Sequence, residues 1–293
     1  MQLLDRSTPH VTVDFAHVAG FRIRYAYTRG APGTVPLLVF NGLGIRYELM
    51  RPLLQAFGRA GIGVVTFDVP GIGQSPSPAR PYRLPQIAAI AAGLLDLLGY
   101  DERVDVFGLS WGGSMAQEFV HRYPQRVRRL VLGVSSPGTI AVPGRFSALR
   151  RLATSGMMLT RDDVRKVAAA LFGGRFRTDE SLAMQYVEFL RPAKNIGFIY
   201  QLVALAGWSS LLWLRSIKAP TLVLSASDDP IFPAANGRIL AALIPHARLR
   251  VVDDGHLFVL TRLDEFVPFI AGFLAADDPV RYMDDAAKTK TAR

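Results

Sequence analysis

The sequence predicts an α/β fold: a mostly parallel central sheet covered by helices on both faces, with a helical segment inserted in the middle of the chain. Three observations predict it. Short apolar runs of strand length alternate with helical segments at regular intervals, the pattern of parallel strands joined by crossover helices. A strand, a sharp turn and a helix meet at Gly108-Leu109-Ser110-Trp111-Gly112, with the serine at the apex. The alternation then breaks from Pro137 to Arg215, where helical spacing continues without a convincing strand, and it resumes at Thr221.

Taken in order, His10 to His17 and Phe21 to Thr28 read as two strands of a hairpin around Ala19-Gly20. Pro36 to Asn41 is a continuous apolar run, as a strand buried on both faces would be, and Asn41-Gly42-Leu43-Gly44 follows as a loop. Tyr47 to Ala60 has helical spacing. Gly63 to Asp68 is the next strand, ending in a loop rich in proline and glycine up to Ser75. Leu84 to Leu98 is a helix stopped by Gly99, and Val104 to Leu109 is the strand that delivers Ser110. Ser114 to Tyr123 reads as the helix after the turn, and Val127 to Val134 as a strand. Four helical segments follow at Arg145 to Leu159, Asp162 to Phe172, Glu180 to Leu190 and Ile196 to Leu214. The last units are a strand at Thr221 to Ala226, a helix at Asn236 to Leu243, a strand at Arg248 to Val252 and a helix at Leu263 to Ala275. Residues 1–136 and 217–276 are therefore expected to form the α/β core and 137–216 a helical lid. Residues 277–293, charged and without an apolar period, are expected to be a disordered tail.

At 293 residues, half of them hydrophobic, the chain can bury a substantial core. The absence of cysteine excludes disulfides and cysteine-ligated metals. Met1 to His10 holds no apolar stretch of the kind a secretory signal needs, so a cytoplasmic location is the expectation. The net charge of +10 is not a nucleic-acid footprint, because only five of the 34 basic residues are lysine and no dense basic run interleaves with aromatics. Eleven basic and five acidic side chains lie between Gly138 and Ser216, a surplus suited to a solvated surface or to an acidic one such as phospholipid headgroups. Ile196 to Leu214 runs nineteen residues without a charge, close to the roughly 20 that span a bilayer. Gly197, Gln201, Gly207 and Ser209-Ser210 interrupt it, and strands of one sheet lie on both sides, so no transmembrane segment is expected, and a helix or helix pair with an apolar face over the active site is the better account.

A serine hydroxyl is a poor nucleophile at neutral pH and needs a base, with an acid to orient that base. Of five histidines, His10, His17, His121 and His246 read as surface residues. His256 stands just past the last strand, on the sheet edge that carries Ser110, and is the candidate base. The acid is expected at the end of the strand from Thr221, where Asp228 and Asp229 both stand. Asp229 is preferred because Pro230 holds the preceding residue extended. Asp253 and Asp254 read as a solvated turn and Asp68 as a brace for its loop. The oxyanion hole needs one N–H from the residue after the serine, Trp111, and one from an earlier loop, Leu43. No metal cluster or dinucleotide fingerprint appears, so no cofactor is implied.

Serine, acid, histidine, oxyanion loop and insertion in this order resemble the α/β-hydrolase fold. The resemblance narrows on Phe40-Asn41-Gly42-Leu43-Gly44, Phe67-Asp68-Val69-Pro70-Gly71-Ile72-Gly73, Pro81-Tyr82-Arg83-Leu84-Pro85, Gly108-Leu109-Ser110-Trp111-Gly112-Gly113, Gly207-Trp208 and Asp253-Asp254-Gly255-His256-Leu257-Phe258. Together these are similar to the intracellular depolymerases of medium-chain-length polyhydroxyalkanoates, over roughly Leu37 to Leu274. The resemblance implies Ser110, Asp229 and His256 as the triad and a polyester or acyl ester as substrate, met at a granule surface. It departs at Ala226-Ser227, where many relatives carry glycine and an acid before the aspartate. The expected activity is cleavage of the ester bonds of an aliphatic poly(3-hydroxyalkanoate). Phe198, Leu202, Leu205 and Trp208 are expected to contact the substrate. A carboxylesterase of small or medium-chain esters, a carbon–carbon bond hydrolase with the same triad, and a silent protein that binds a lipid or polymer surface are the alternatives.

Overall fold

A computed structural model of the protein describes residues 9–154, 161–187 and 196–291. The chain opens with β1 (Thr12–Val18) and β2 (Phe21–Thr28), followed by β3 (Leu37–Phe40), α1 (Tyr47–Arg59), β4 (Val64–Phe67) and α2 (Leu84–Leu97). Next come β5 (Val104–Leu109), α3 (Trp111–Arg122) and β6 (Val127–Gly133). Between β6 and the next strand lie α4 (Phe146–Thr154), α5 (Arg161–Phe172), α6 (Glu180–Gln185) and α7 (Ile196–Leu205). The chain finishes with β7 (Thr221–Ala226), α8 (Ala234–Leu243), β8 (Ala247–Val252), α9 (Phe258–Thr261), α10 (Leu263–Ala275) and α11 (Pro279–Thr291).

The eight strands form one sheet in the order β1-β2-β4-β3-β5-β6-β7-β8. β1 with β2 and β2 with β4 are antiparallel, and every pair from β4 onward is parallel. β3, β4, β5 and β7 are buried along their whole length, which is why they read as continuous apolar runs rather than alternations. Successive side chains feed opposite faces. Leu37 and Val39 of β3 join a core with α1 and α10, while Leu38 and Phe40 join one with α2 and α3. α1 turns Met50, Leu53, Leu54 and Phe57 to the sheet at helical spacing. The centre of the sheet is β3 and β5, so the loops leaving their C-terminal ends lie side by side.

Several expectations are corrected by this structure. The stretch Ile196 to Leu214 is neither one helix nor a helix pair: α7 stops at Leu205, Gly207 turns with φ +74°, and Ser209 pairs with Gly138. That bridge, with Ser210 N–H donating to Pro137 O at 2.9 Å, ties the two ends of the insertion together. The C-terminal parts of the helices expected at Arg145 to Leu159 and Glu180 to Leu190 fall outside the described residues. The tail is not disordered over Pro279–Thr291. Asp278 accepts the N–H groups of Val280 and Arg281, Pro279 opens the helix, and Met283 is buried against α10 and β8. Arg248 pairs with Asp284 across the joint. Among the described residues no helix is long and apolar enough to cross a membrane.

Candidate active site

β5 ends in a turn that leaves Ser110 at φ +57° and ψ −122°, a region that costs a non-glycine residue on the order of 1–3 kcal/mol. Ser110 N–H donates to Gly133 O and its carbonyl accepts from Gly113 N–H, both at 2.8 Å, which fixes the peptide on either side. The flanking glycines are required by crowding. A Cβ at Gly108 would strike the backbone of Gly112 and Gly113, and one at Gly112 would strike the carbonyls of Phe40 and Asn41. The elbow is thereby pressed against the chain at Phe40 and Asn41, where the 41–44 loop begins.

β7 and β8 bring the other two residues to the same edge. His256 Nε2 lies 2.9 Å from Ser110 Oγ, and its Nδ1 lies 2.7 Å from Asp229 Oδ2. Asp229 has both oxygens occupied, since Oδ1 accepts the N–H groups of Ile231 at 2.8 Å and Phe232 at 2.9 Å. That Asx-type turn fixes the carboxylate, and with Nδ1–H donating to it the histidine presents Nε2 as an acceptor for the serine proton. His256 N–H donates to Phe172 O at the end of α5, at 2.6 Å, so the insertion also positions the histidine loop.

Asp228 points the other way. It accepts from Gly174 N–H at 2.8 Å and pairs with Arg177 and Arg145, and the Arg177 guanidinium holds its carboxyl below the usual carboxylate range. Asp253 is exposed, but Asp254 departs from the expected solvated turn. It is buried and accepts from Arg175 N–H and Gly255 N–H, with Arg262 alongside, because α5 and the Gly173-Gly174 turn close over it. Asp68 braces its loop as expected, accepting from Tyr47 N–H at 2.7 Å. Burial pushes its carboxyl up to about 6, against the opposing pull of that N–H. His10, His17, His121 and His246 are all exposed, and His121 stacks on Trp213.

Leu43 and Trp111 flank Ser110 in the wall of a cavity of about 220 Å³. Among the described residues neither backbone N–H has a protein acceptor. Among the described residues Ser110, His256 and the indole of Trp111 are the side chains in that wall that carry a polar atom. Ile45, Met50, Ile231 and Phe232 come from the sheet side, and Leu149, Phe172, Leu202 and Leu205 from α4, α5 and α7. Two of the expected substrate contacts, Trp208 and Phe198, lie outside that wall. Trp208 lies beyond Gly207, where its Nε1–H donates to the buried Glu118 on α3 at 2.8 Å and its ring meets Trp213. Phe198 is buried, but it sits one helical turn, about 6 Å, before Leu202 and outside the wall. The sequence missed Gln201, whose side chain accepts Gly44 N–H at 2.8 Å and whose carbonyl accepts Trp111 Nε1–H at 3.1 Å. Its one available signal was an amide in an uncharged apolar run. Among the described residues no group of His, Asp and Glu could hold a metal ion.

The sheet order, the elbow between β5 and α3, and a histidine beyond β8 define a hydrolase fold, and the chain belongs to the alpha/beta hydrolase fold family, whose model matches residues 35–263. Within it the chain is similar to the poly(3-hydroxyalkanoate) depolymerase of Ectopseudomonas oleovorans. The two are 43% identical over 252 residues, covering 86% of this chain and 88% of that one. The 2-hydroxymuconate semialdehyde hydrolase of Pseudomonas sp. strain CF600 is 30% identical over 267 residues, covering 83% and 88%. Among solved structures, a hydrolase from Pseudomonas aeruginosa PA01 matches with a TM-score of 0.74 and 26% identity, over 90% of this chain and 99% of that one.

Proposed function

We propose that the protein is a serine hydrolase that cleaves the ester bonds of an aliphatic poly(3-hydroxyalkanoate). The observation that carries this reading is the hydrogen-bonded chain Asp229–His256–Ser110 opening on a cavity whose other walls are apolar. Ser110 Oγ attacks the ester carbonyl carbon as its proton passes to His256 Nε2, and Asp229 stabilises the imidazolium. The oxyanion gathers between the N–H groups of Leu43 and Trp111. Collapse expels the alkoxide, which takes the proton from His256, and water releases the acyl group by the same steps reversed. The 43% identical relative, a poly(3-hydroxyalkanoate) depolymerase, supports the polymer as substrate. A carbon–carbon hydrolase acting on an anionic substrate fits less well, since among the described residues neither arginine nor lysine lines the cavity.

The insertion acts as the lid in this reading. Leu149 and Leu202 both line the cavity and reach the surface, and the insertion also exposes the apolar side chains of Ile140, Phe146 and Leu212. Exposed apolar side chains of this kind suit contact with the polymer granule itself. The test is hydrolysis of p-nitrophenyl esters from two to twelve acyl carbons beside a polymer latex, with fluorophosphonate labelling of Ser110. Medium-chain esters and latex should both be cleaved and Ser110 labelled. Cleavage confined to short esters would overturn the polymer assignment. Sedimentation of Ser110→Ala with latex should weaken when Phe146 and Leu212 are also changed to serine.

A further inference from the structure

We propose that Gln201 is a positioning residue for the oxyanion hole, through which α7 holds the 41–44 loop and the Trp111 side chain in the geometry that the reaction needs. This rests on the assignment of Leu43 and Trp111 as the oxyanion donors and deepens it. Gln201 is 1% exposed and stands in the middle of α7, a helix that has no other polar side chain apart from Tyr200. It makes two bonds, one to each half of the hole. Its Oε1 takes the N–H of Gly44, the residue next to Leu43, and its main-chain oxygen takes the indole N–H of Trp111.

The loop needs such a tie. Gly44 has φ +68°, and the turn is otherwise closed by Ile45 N–H donating to Gly42 O at a long 3.2 Å. Peptides in a glycine-rich turn explore many orientations unless each N–H is engaged. If Gly44 N–H lost its acceptor, the Leu43 peptide beside it would be free to rotate its N–H out of the cavity. A donor is useful only when it is aimed at the oxyanion before the charge develops. α7 is seated to deliver this bond. The backbones of Gly197 and Gly71 meet without room for a Cβ on either, and Tyr200 packs edge-on against Tyr82 with ring centroids 6.4 Å apart. The helix that walls the cavity with Leu202 and Leu205 thus also sets the loop, so seating of the insertion and completion of the hole are one event.

The experiment compares the wild type with Gln201→Met, which keeps the length of the side chain and removes the acceptor. Hydrogen exchange measured by mass spectrometry should quicken about tenfold or more in the 41–46 peptide, with the strands unchanged. On p-nitrophenyl octanoate kcat should fall roughly 10–100-fold with KM within twofold, the cost expected of a misplaced donor. An alkylboronic acid, which mimics the tetrahedral intermediate on Ser110, should bind more weakly by about the same factor. Unchanged exchange at 41–46 overturns the proposal, as does a loss of thermal stability with kcat and boronate affinity intact. If the wild type cleaves no ester, the functional reading fails on its own, while the exchange of the loop still decides whether Gln201 braces it.

Discussion

Asp229 and Asp228 are adjacent in the chain and face opposite ways, one onto His256 and one into the arginines of the insertion. Asp229→Asn should lower kcat about 10⁴-fold by holding His256 in the wrong tautomer. Asp228→Asn should leave kcat within a few-fold and lower the melting temperature, and steady-state kinetics beside thermal unfolding of both variants separates the two roles. Ser110→Ala should abolish turnover, a loss on the order of 10⁶. The choice between the aspartates was legible because Pro230 restricts its neighbour locally. Asp254 was not, because its burial depends on Phe172 and Gly173, some eighty residues away in the chain. Asp68 carries a pH signature. Its carboxyl sits at about 6 in the fold and near 3.8 when unfolded, so the fold binds the proton more tightly. That preference stabilises fully below about pH 4 and is lost as the pH rises through 6, a change on the order of 3 kcal/mol. Urea unfolding from pH 4 to 7.5 should show this slope in the wild type and a flatter one in Asp68→Asn.

α7 shows what a helix-length apolar stretch conceals. Hydropathy alone does not distinguish Leu205 from Trp208 in Ile196 to Leu214; the division is made by the turn at Gly207 and by partners on α3. Each methylene buried against Leu202 and Leu205 is worth about 0.8 kcal/mol, or roughly fourfold in kcat/KM. Catalytic efficiency on p-nitrophenyl esters should therefore climb with acyl length until the cavity is filled. Leu205→Ala and Leu202→Ala should flatten that climb. Trp208→Ala should leave the profile unchanged and lower the melting temperature, since Glu118 loses a buried donor. The strands were far more legible than the insertion, because burial on both faces imposes an unbroken apolar run on β3, β4, β5 and β7.

At the scale of the whole molecule, α11 closes the sheet edge at β8 and its removal tests how much the last seventeen residues contribute. Deleting 277–293 exposes the site of Met283 and unpairs Arg248, at about 2–4 kcal/mol. The melting temperature should fall by roughly 5–10 °C while kcat/KM is kept, since no residue of the cavity wall lies there. The sequence carried the cue to this helix in Asp278-Pro279, a cap followed by a helix-starting proline, which the charge of the tail obscured. One more consequence follows from the 146 residues that separate Ser110 from His256. A ribosome adding roughly 5–20 residues per second delivers the serine some 7–30 s before the histidine. On the proposed mechanism, over that interval and in every product cut short before residue 256, the chain carries Ser110 without the base that would deprotonate it. On that mechanism half-made chains are inert, and esterase activity is expected only with the completed sheet.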